Sequence, residues 1–268
     1  MAYNALLIER RKLLHERAGE ALESMFEGRL DDHLGDLARH YSRSDNISKA
    51  VEYLGRAGQQ AFQRSAYADA ISSLRAATDL LQKLPESPER LQREFTVFWA
   101  LWVFHQAHGE HREAREAAAE CLRLAQAAAA SPLLLEAHHA VGVSLLLLGE
   151  FAQGLKQLEQ GAAIFDPGQH AALPYVNGLD SGVACLCRGA WDLWFLGYPD
   201  QALKRLAEGL ALSNPLSHPV SKAAAANIAS WVYLLLQDCD AAKEQADAAV
   251  VLSTECAFEF WGAMGIIG

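Results

Sequence analysis

Apolar and small residues recur along this chain at helical spacing, and no stretch shows the period-2 alternation of a strand. One triplet repeats: a small residue, an apolar or small residue four positions on, and a small residue three beyond that. It reads Ala50/Leu54/Ala57, Ala70/Leu74/Ala77, Ala114/Ala118/Cys121, Gly154/Leu158/Gly161, Ala202/Leu206/Gly209 and Ala242/Ala246/Ala249. Positions i, i+4 and i+7 share one helix face, so small side chains there admit a neighbouring helix while the middle residue fills the remaining gap. A turn precedes most of these helices: Ser44-Asp45-Asn46, His108-Gly109-Glu110, Leu148-Gly149-Glu150, Leu196-Gly197-Tyr198 and Gln237-Asp238-Cys239-Asp240. Glycine or asparagine there can close the preceding helix through a left-handed residue. The eight prolines (85, 88, 132, 167, 174, 199, 215 and 219) all fall between helical stretches or at a first helical turn, where a missing N–H costs nothing. The pattern predicts an all-α chain of paired helices.

The first helix of each pair carries its own signature: Leu37-Ala38 with Tyr41, Leu101-Trp102 with His105, Val141-Gly142 with Leu145, and Ala229-Ser230 with Tyr233. With the alanine after the turn, this resembles the tetratricopeptide repeat, a resemblance that implies a right-handed superhelical stack of antiparallel helix pairs. The anchors Ala50, Ala70, Ala114, Gly154, Ala202 and Ala242 lie 20, 44, 40, 48 and 40 residues apart. Most gaps exceed the standard repeat of about 34 residues, so long helices are expected. The first gap is half a repeat, and the helix over 51–63 is expected to close one pair and open the next. Residues 166–180 form the longest irregular stretch.

A second resemblance covers essentially the whole chain. The series Ala2-Tyr3-Asn4-Ala5-Leu6-Leu7, Arg10-Arg11-Lys12-Leu13-Leu14-His15, Leu37-Ala38-Arg39-His40-Tyr41 and Lys49-Ala50-Val51-Glu52-Tyr53-Leu54 is similar to the region after the winged helix in bacterial predicted ATPases. Many of those are fused to class III adenylate/guanylate cyclase domains. Leu133-Leu134-Leu135-Glu136-Ala137-His138-His139 and Leu196-Gly197-Tyr198-Pro199-Asp200-Gln201-Ala202-Leu203 look like their repeat tails. The resemblance implies a linker helix over 1–28 following an ATPase/winged-helix module that this sequence lacks. A repeat array over 29–268 would follow, open at its C-terminal end. Residues 91–109 look about one repeat shorter than such tails. The apolar segment 260–268 has no polar cap, which makes self-association through it an expectation.

Composition narrows the function. A formal charge of -10 argues against a general nucleic-acid binder, which needs a basic surface. The one basic cluster, Arg10, Arg11, Lys12, His15 and Arg17, reads as a solvated helix face. Five cysteines (121, 185, 187, 239 and 256) scattered through apolar stretches look like buried free thiols in a reducing compartment, and cytoplasm is expected. The longest aliphatic run, 145–148, is far too short to span a bilayer.

Catalytic patterns are absent. The sequence holds no phosphate loop, no His-Glu-x-x-His, no Cys-x-x-Cys and no Gly-x-Ser-x-Gly elbow. His105, His108 and His111 are spaced by three, but Gly109 falls within the set, so a helix end is favoured over a metal site. Of the adjacent His138 and His139, one is expected to pack while the other faces a groove. If Leu101, Val141, Gly189 and Ala229 are equivalent, residues two before them, or two and five beyond, face the inner groove. That set includes Trp99, His139, Cys187, Trp191, Trp194, Asn227 and Trp231. Such a wall can take a peptide, a helix or a small apolar ligand; large aromatics also simply fill space between long helices. The sequence therefore points to a non-catalytic scaffold without cofactor or metal. Its partner would be a protein or a sister domain of a parent ATPase. The alternative is a sensor binding a small molecule in the tryptophan-lined groove.

Overall fold

A computed structural model describes residues 8–166, 170 and 179–255. Among them are twelve α-helices and no strand, as the periodicity predicts. They are α1 (Ile8–Met25), α2 (Leu34–Tyr41), α3 (Ile47–Gln63), α4 (Tyr67–Leu81), α5 (Pro88–His108), α6 (His111–Ala128), α7 (Ser131–Leu147), α8 (Phe151–Ile164), α9 (Ser181–Phe195), α10 (Pro199–Ser213), α11 (Pro219–Leu235) and α12 (Cys239–Glu255). The chain forms two compact units, Met1–Glu120 and Cys121–Gly268.

Local chemistry sets the helix ends. Asn46, Ser87 and Asp180 cap α3, α5 and α9, each side chain accepting from the backbone N–H three residues on. Pro88, Pro132, Pro199 and Pro219 occupy first turns. Gly109, Gly149 and Gly197 take positive φ in the turns after α5, α7 and α9, where a side chain would be strained. The turn after α11 uses Gln237 at φ 61 instead. Asn46 does not take the left-handed conformation (φ -84); it starts α3 rather than ending α2.

In the first unit, α3 lies against both α2 and α4, so one helix serves two neighbours. Its small side is used at Gly58, where an added Cβ would lie 3.3 Å from the Ala70 carbonyl and 3.4 Å from Leu74 Cγ. Helix α1 packs on α2, with Gly19 under the Tyr41 ring. Three polar bonds extend that contact to α3. Lys49 Nζ donates to Glu23 Oε2 (2.5 Å) and to Tyr41 Oη (3.2 Å), while Tyr53 Oη donates to Glu23 Oε1 (2.6 Å).

In the second unit, the triplets become the seams between helices. Helix α8 sits between α7 and α9. Its Leu158 fills the space over Gly142 of α7, while Gly154 and Gly161 face Asp192 and Cys185 of α9. Gly209 of α10 meets Cys187 of α9 in the same way. Leu158 and Leu206, the middle residues of their triplets, are completely buried. Each contributes about 2 kcal/mol of transfer free energy.

Candidate functional site

Of the seven candidate groove residues, Trp99 stands apart on α5 of the first unit. Its ring packs on Trp102 (centroids 4.8 Å) and Phe95 (6.2 Å). The other six lie in the second unit: His139 on α7, Cys187, Trp191 and Trp194 on α9, and Asn227 and Trp231 on α11. Helix α9 contacts both α7 and α11, so these three form one wall.

Within the wall the six do different things. Cys187 is completely buried with its Sγ against Gly209, so it faces α10. Burial pushes its thiol up to about 12. Trp191 and Trp194 pack on the apolar core shared by α9, α10 and α11. The Trp191 indole N–H donates to the Ile228 carbonyl (3.1 Å), which joins α9 to α11. Asn227 is 2% exposed, and its Nδ2 has no hydrogen-bond partner among the described residues. Trp231 lies one turn further along α11, on the same face, and its buried Nε1 also lacks a partner.

Three polar residues outside the sequence-derived set complete the wall. The Ser181 hydroxyl donates to Glu136 Oε2 (2.7 Å) and lies 3.5 Å from His139 Nδ1, tying α9 to α7. Burial, assisted by the positive charge of Arg188, pushes His139 down to about 3, so its imidazole is neutral at physiological pH. Arg188 stacks its guanidinium over the Trp191 ring at 5.9 Å. Its Nε is buried without a hydrogen-bond partner, and it forms no ion pair with a described carboxylate. Arg188 is the only charged residue between Ser181 and Trp191, and that isolation in an apolar run was the available sequence signal.

Asp192, one turn after Arg188, does not neutralise it. Its carboxyl is completely buried against α8, where a Cβ on Gly154 would lie 3.0 Å from Oδ2. Burial raises it to about 8, so near neutrality it is largely protonated.

A polar seam runs beside this wall at the helix starts. The Asp180 N–H donates to Ser221 Oγ (2.8 Å), and Ser221 is also bonded to His218 Nδ1 (2.9 Å). The histidines singled out by spacing are accounted for locally. His105 pairs with Glu110 (2.5 Å), His111 with Gln106 (3.1 Å), and the half-buried His138 with Gln157 of α8 (2.8 Å), while His139 is buried. No group of three or more His, Cys, Asp or Glu among the described residues could hold a metal ion. Cys121, Cys185 and Cys187 are buried thiols outside any disulfide, but Cys239 is exposed, contrary to expectation; Cys256 lies outside the described residues, as does the apolar segment 260–268. No described helix is long and apolar enough to cross a membrane.

The first unit has its own groove, of about 370 Å³, between α3 and α5. Val51, Gly55, Leu74, Val97 and Phe104 line it, with Arg56 and Arg93 also at its walls.

No protein-family model matches the sequence, and no curated protein matches it. Solved structures do. The apo form of RapI superposes with a TM-score of 0.64 at 13% identity, over 91% of this chain and 83% of that one. The Rap conjugation gene regulator of plasmid pLS20, in complex with the Phr* peptide, gives 0.61 at 14% identity, over 83% and 58%. Aspartyl phosphate phosphatase F from Bacillus subtilis gives 0.58 at 12% identity, over 96% and 68%. The fold is tetratricopeptide-like. At these identities the likeness establishes the fold alone, and neither an ATPase nor a cyclase is among these three structures.

Proposed function

We propose that this chain is a non-catalytic repeat scaffold that binds an extended peptide segment across α7, α9 and α11. The observation that carries this reading is the buried amide of Asn227, with the Trp231 indole N–H one turn along on the same helix face, both lacking hydrogen-bond partners among the described residues. A buried polar group without a partner costs about 1–3 kcal/mol. A peptide backbone, with its regular carbonyl oxygens, supplies acceptors at such positions. The Rap structure with a bound Phr* peptide is a precedent from a protein of this fold.

The resemblance to repeat tails of bacterial ATPases gives one source for the segment, a sister domain of a larger signalling protein. The phosphatase activity in the name of one structural neighbour is that protein's. A pooled array of random octapeptides, each made both amidated and with a free C-terminal carboxylate, probed with the full chain, tests the reading. Saturable binding that Asn227→Ala weakens by at least about tenfold, at unchanged Tm, supports it. No saturable pool, or binding indifferent to Asn227→Ala, removes it.

A further inference from the structure

We infer that the wall formed by α7, α9 and α11 selects peptides carrying a carboxylate, with Arg188 as its counter-ion. This rests on the peptide reading above and adds the charge of the ligand.

The donor and acceptor inventory of the wall carries the inference. Arg188 can only donate, and the orphan atoms of Asn227 and Trp231, Nδ2 and Nε1, are donors too. The ligand group that fits is therefore an acceptor. Arg188 adds a positive charge that no described carboxylate pairs with, although its Nε is buried and its flank is covered by Trp191. Taking an unpaired charge out of water costs several kcal/mol, and an incoming anion removes that penalty. A carboxylate matches the planar fork of guanidinium with two parallel hydrogen bonds.

The nearby acids do not already fill this role. Glu136 is held by Ser181, which lies seven residues before Arg188 on α9, about 10 Å along the helix. Asp192 is turned towards Gly154 and largely protonated near neutral pH. Asp180 caps the start of α9 through the Val183 N–H. The His139 imidazole, which feels the charge of Arg188, is neutral and does not compete for the anion.

The test uses the full chain and four sets of octapeptides, random except at one fixed position. One set fixes Asp or Glu, a second fixes Asn or Gln, and both are amidated at the C-terminus. A third repeats the second with a free C-terminal carboxylate, and a fourth fixes Lys. The expected result is tighter binding of the first or third set than of the second and fourth. Which of those two wins identifies a side-chain or a terminal carboxylate. Arg188→Gln and Arg188→Met should weaken the acidic set at least about thirtyfold, the size expected for truncating one partner of a buried charge pair. Arg188→Lys should retain part of the affinity. Arg188→Met should also raise Tm in the free protein, because it removes a half-buried guanidinium that has no ion-pair partner among the described residues. If all four sets bind alike and Arg188→Gln binds as wild type while Asn227→Ala does not, the peptide reading stands and the charge assignment is overturned. If no set binds, both fall. A lower Tm with unchanged acidic binding makes Arg188 a structural residue and likewise overturns the assignment.

Discussion

Leu158 of α8 occupies the space that a side chain on Gly142 of α7 would need. A Cβ placed on Gly142 would lie 2.6 Å from both Cγ and Cδ2 of Leu158, with the Gly154 carbonyl at 3.3 Å on another side. Leu158 is fully buried, so Cγ cannot move aside by a simple rotation. Gly142→Ala should therefore destabilise the protein by about 1–3 kcal/mol, despite alanine's better helix propensity. Gly189→Ala, in the middle of α9, is the control. There the nearest atoms are Leu155 Cδ1 at 3.7 Å and Arg205 Nη1 at 3.9 Å, both ordinary contacts. It should stabilise by about 0.5–1 kcal/mol. Urea denaturation of the two variants checks the contrast.

Asp192 makes stability fall as pH rises. Its folded value is raised to about 8, against 3.8 for the ordinary carboxyl, so between those limits the folded state holds a proton that the unfolded state has released. Stability from this group is complete below about pH 4 and is lost as pH climbs through 8. The steepest slope one such proton allows is about 1.4 kcal/mol per pH unit. Asp192→Asn, which keeps the shape, should flatten the decline between pH 5 and pH 9 in urea melts. An unchanged profile would mean that this carboxyl is not the group responsible.

Glu23 works in the opposite direction. Burial pushes its carboxyl up, but hydrogen bonds from Lys49, Tyr53 and Tyr41 outweigh that and leave it below its ordinary value. Its contribution is present above pH 4.5 and is lost as pH falls through the lowered value. Because Lys49 is more than a third exposed, solvent screens the pair. Lys49→Met should cost about 1 kcal/mol and speed amide exchange within α1, with the exchange of α9 and α11 unchanged.

The seams between helices were legible in the sequence because close approach demands small residues at fixed spacing. Gly154/Leu158/Gly161 and Ala202/Leu206/Gly209 announce both the helix and the face it buries. The aromatic wall was less legible. A count of two or five residues from an equivalent position selects a face only to within about one residue, and one residue turns a helix by 100°. The same count selects Cys187 and Asn227, yet the first sits under Gly209 while the second keeps its amide nitrogen buried without a partner among the described residues. Arg188 stands alone as a charge in an apolar run, but no local pattern tells that its Nε is buried without a hydrogen-bond partner among the described residues. Asn46 shows the same limit at a turn. Asparagine suits both a left-handed helix end and an N-cap, and the free Lys49 N–H decides for the cap.

The most direct measurement is the affinity of the best octapeptide from the array for wild type, Asn227→Ala and Trp99→Ala, by calorimetry at fixed salt. If the binding wall is α7, α9 and α11, Asn227→Ala binds at least about tenfold more weakly while Trp99→Ala, in the other unit, binds as wild type. Equal affinity for wild type and Asn227→Ala, or loss in Trp99→Ala alone, would contradict the account.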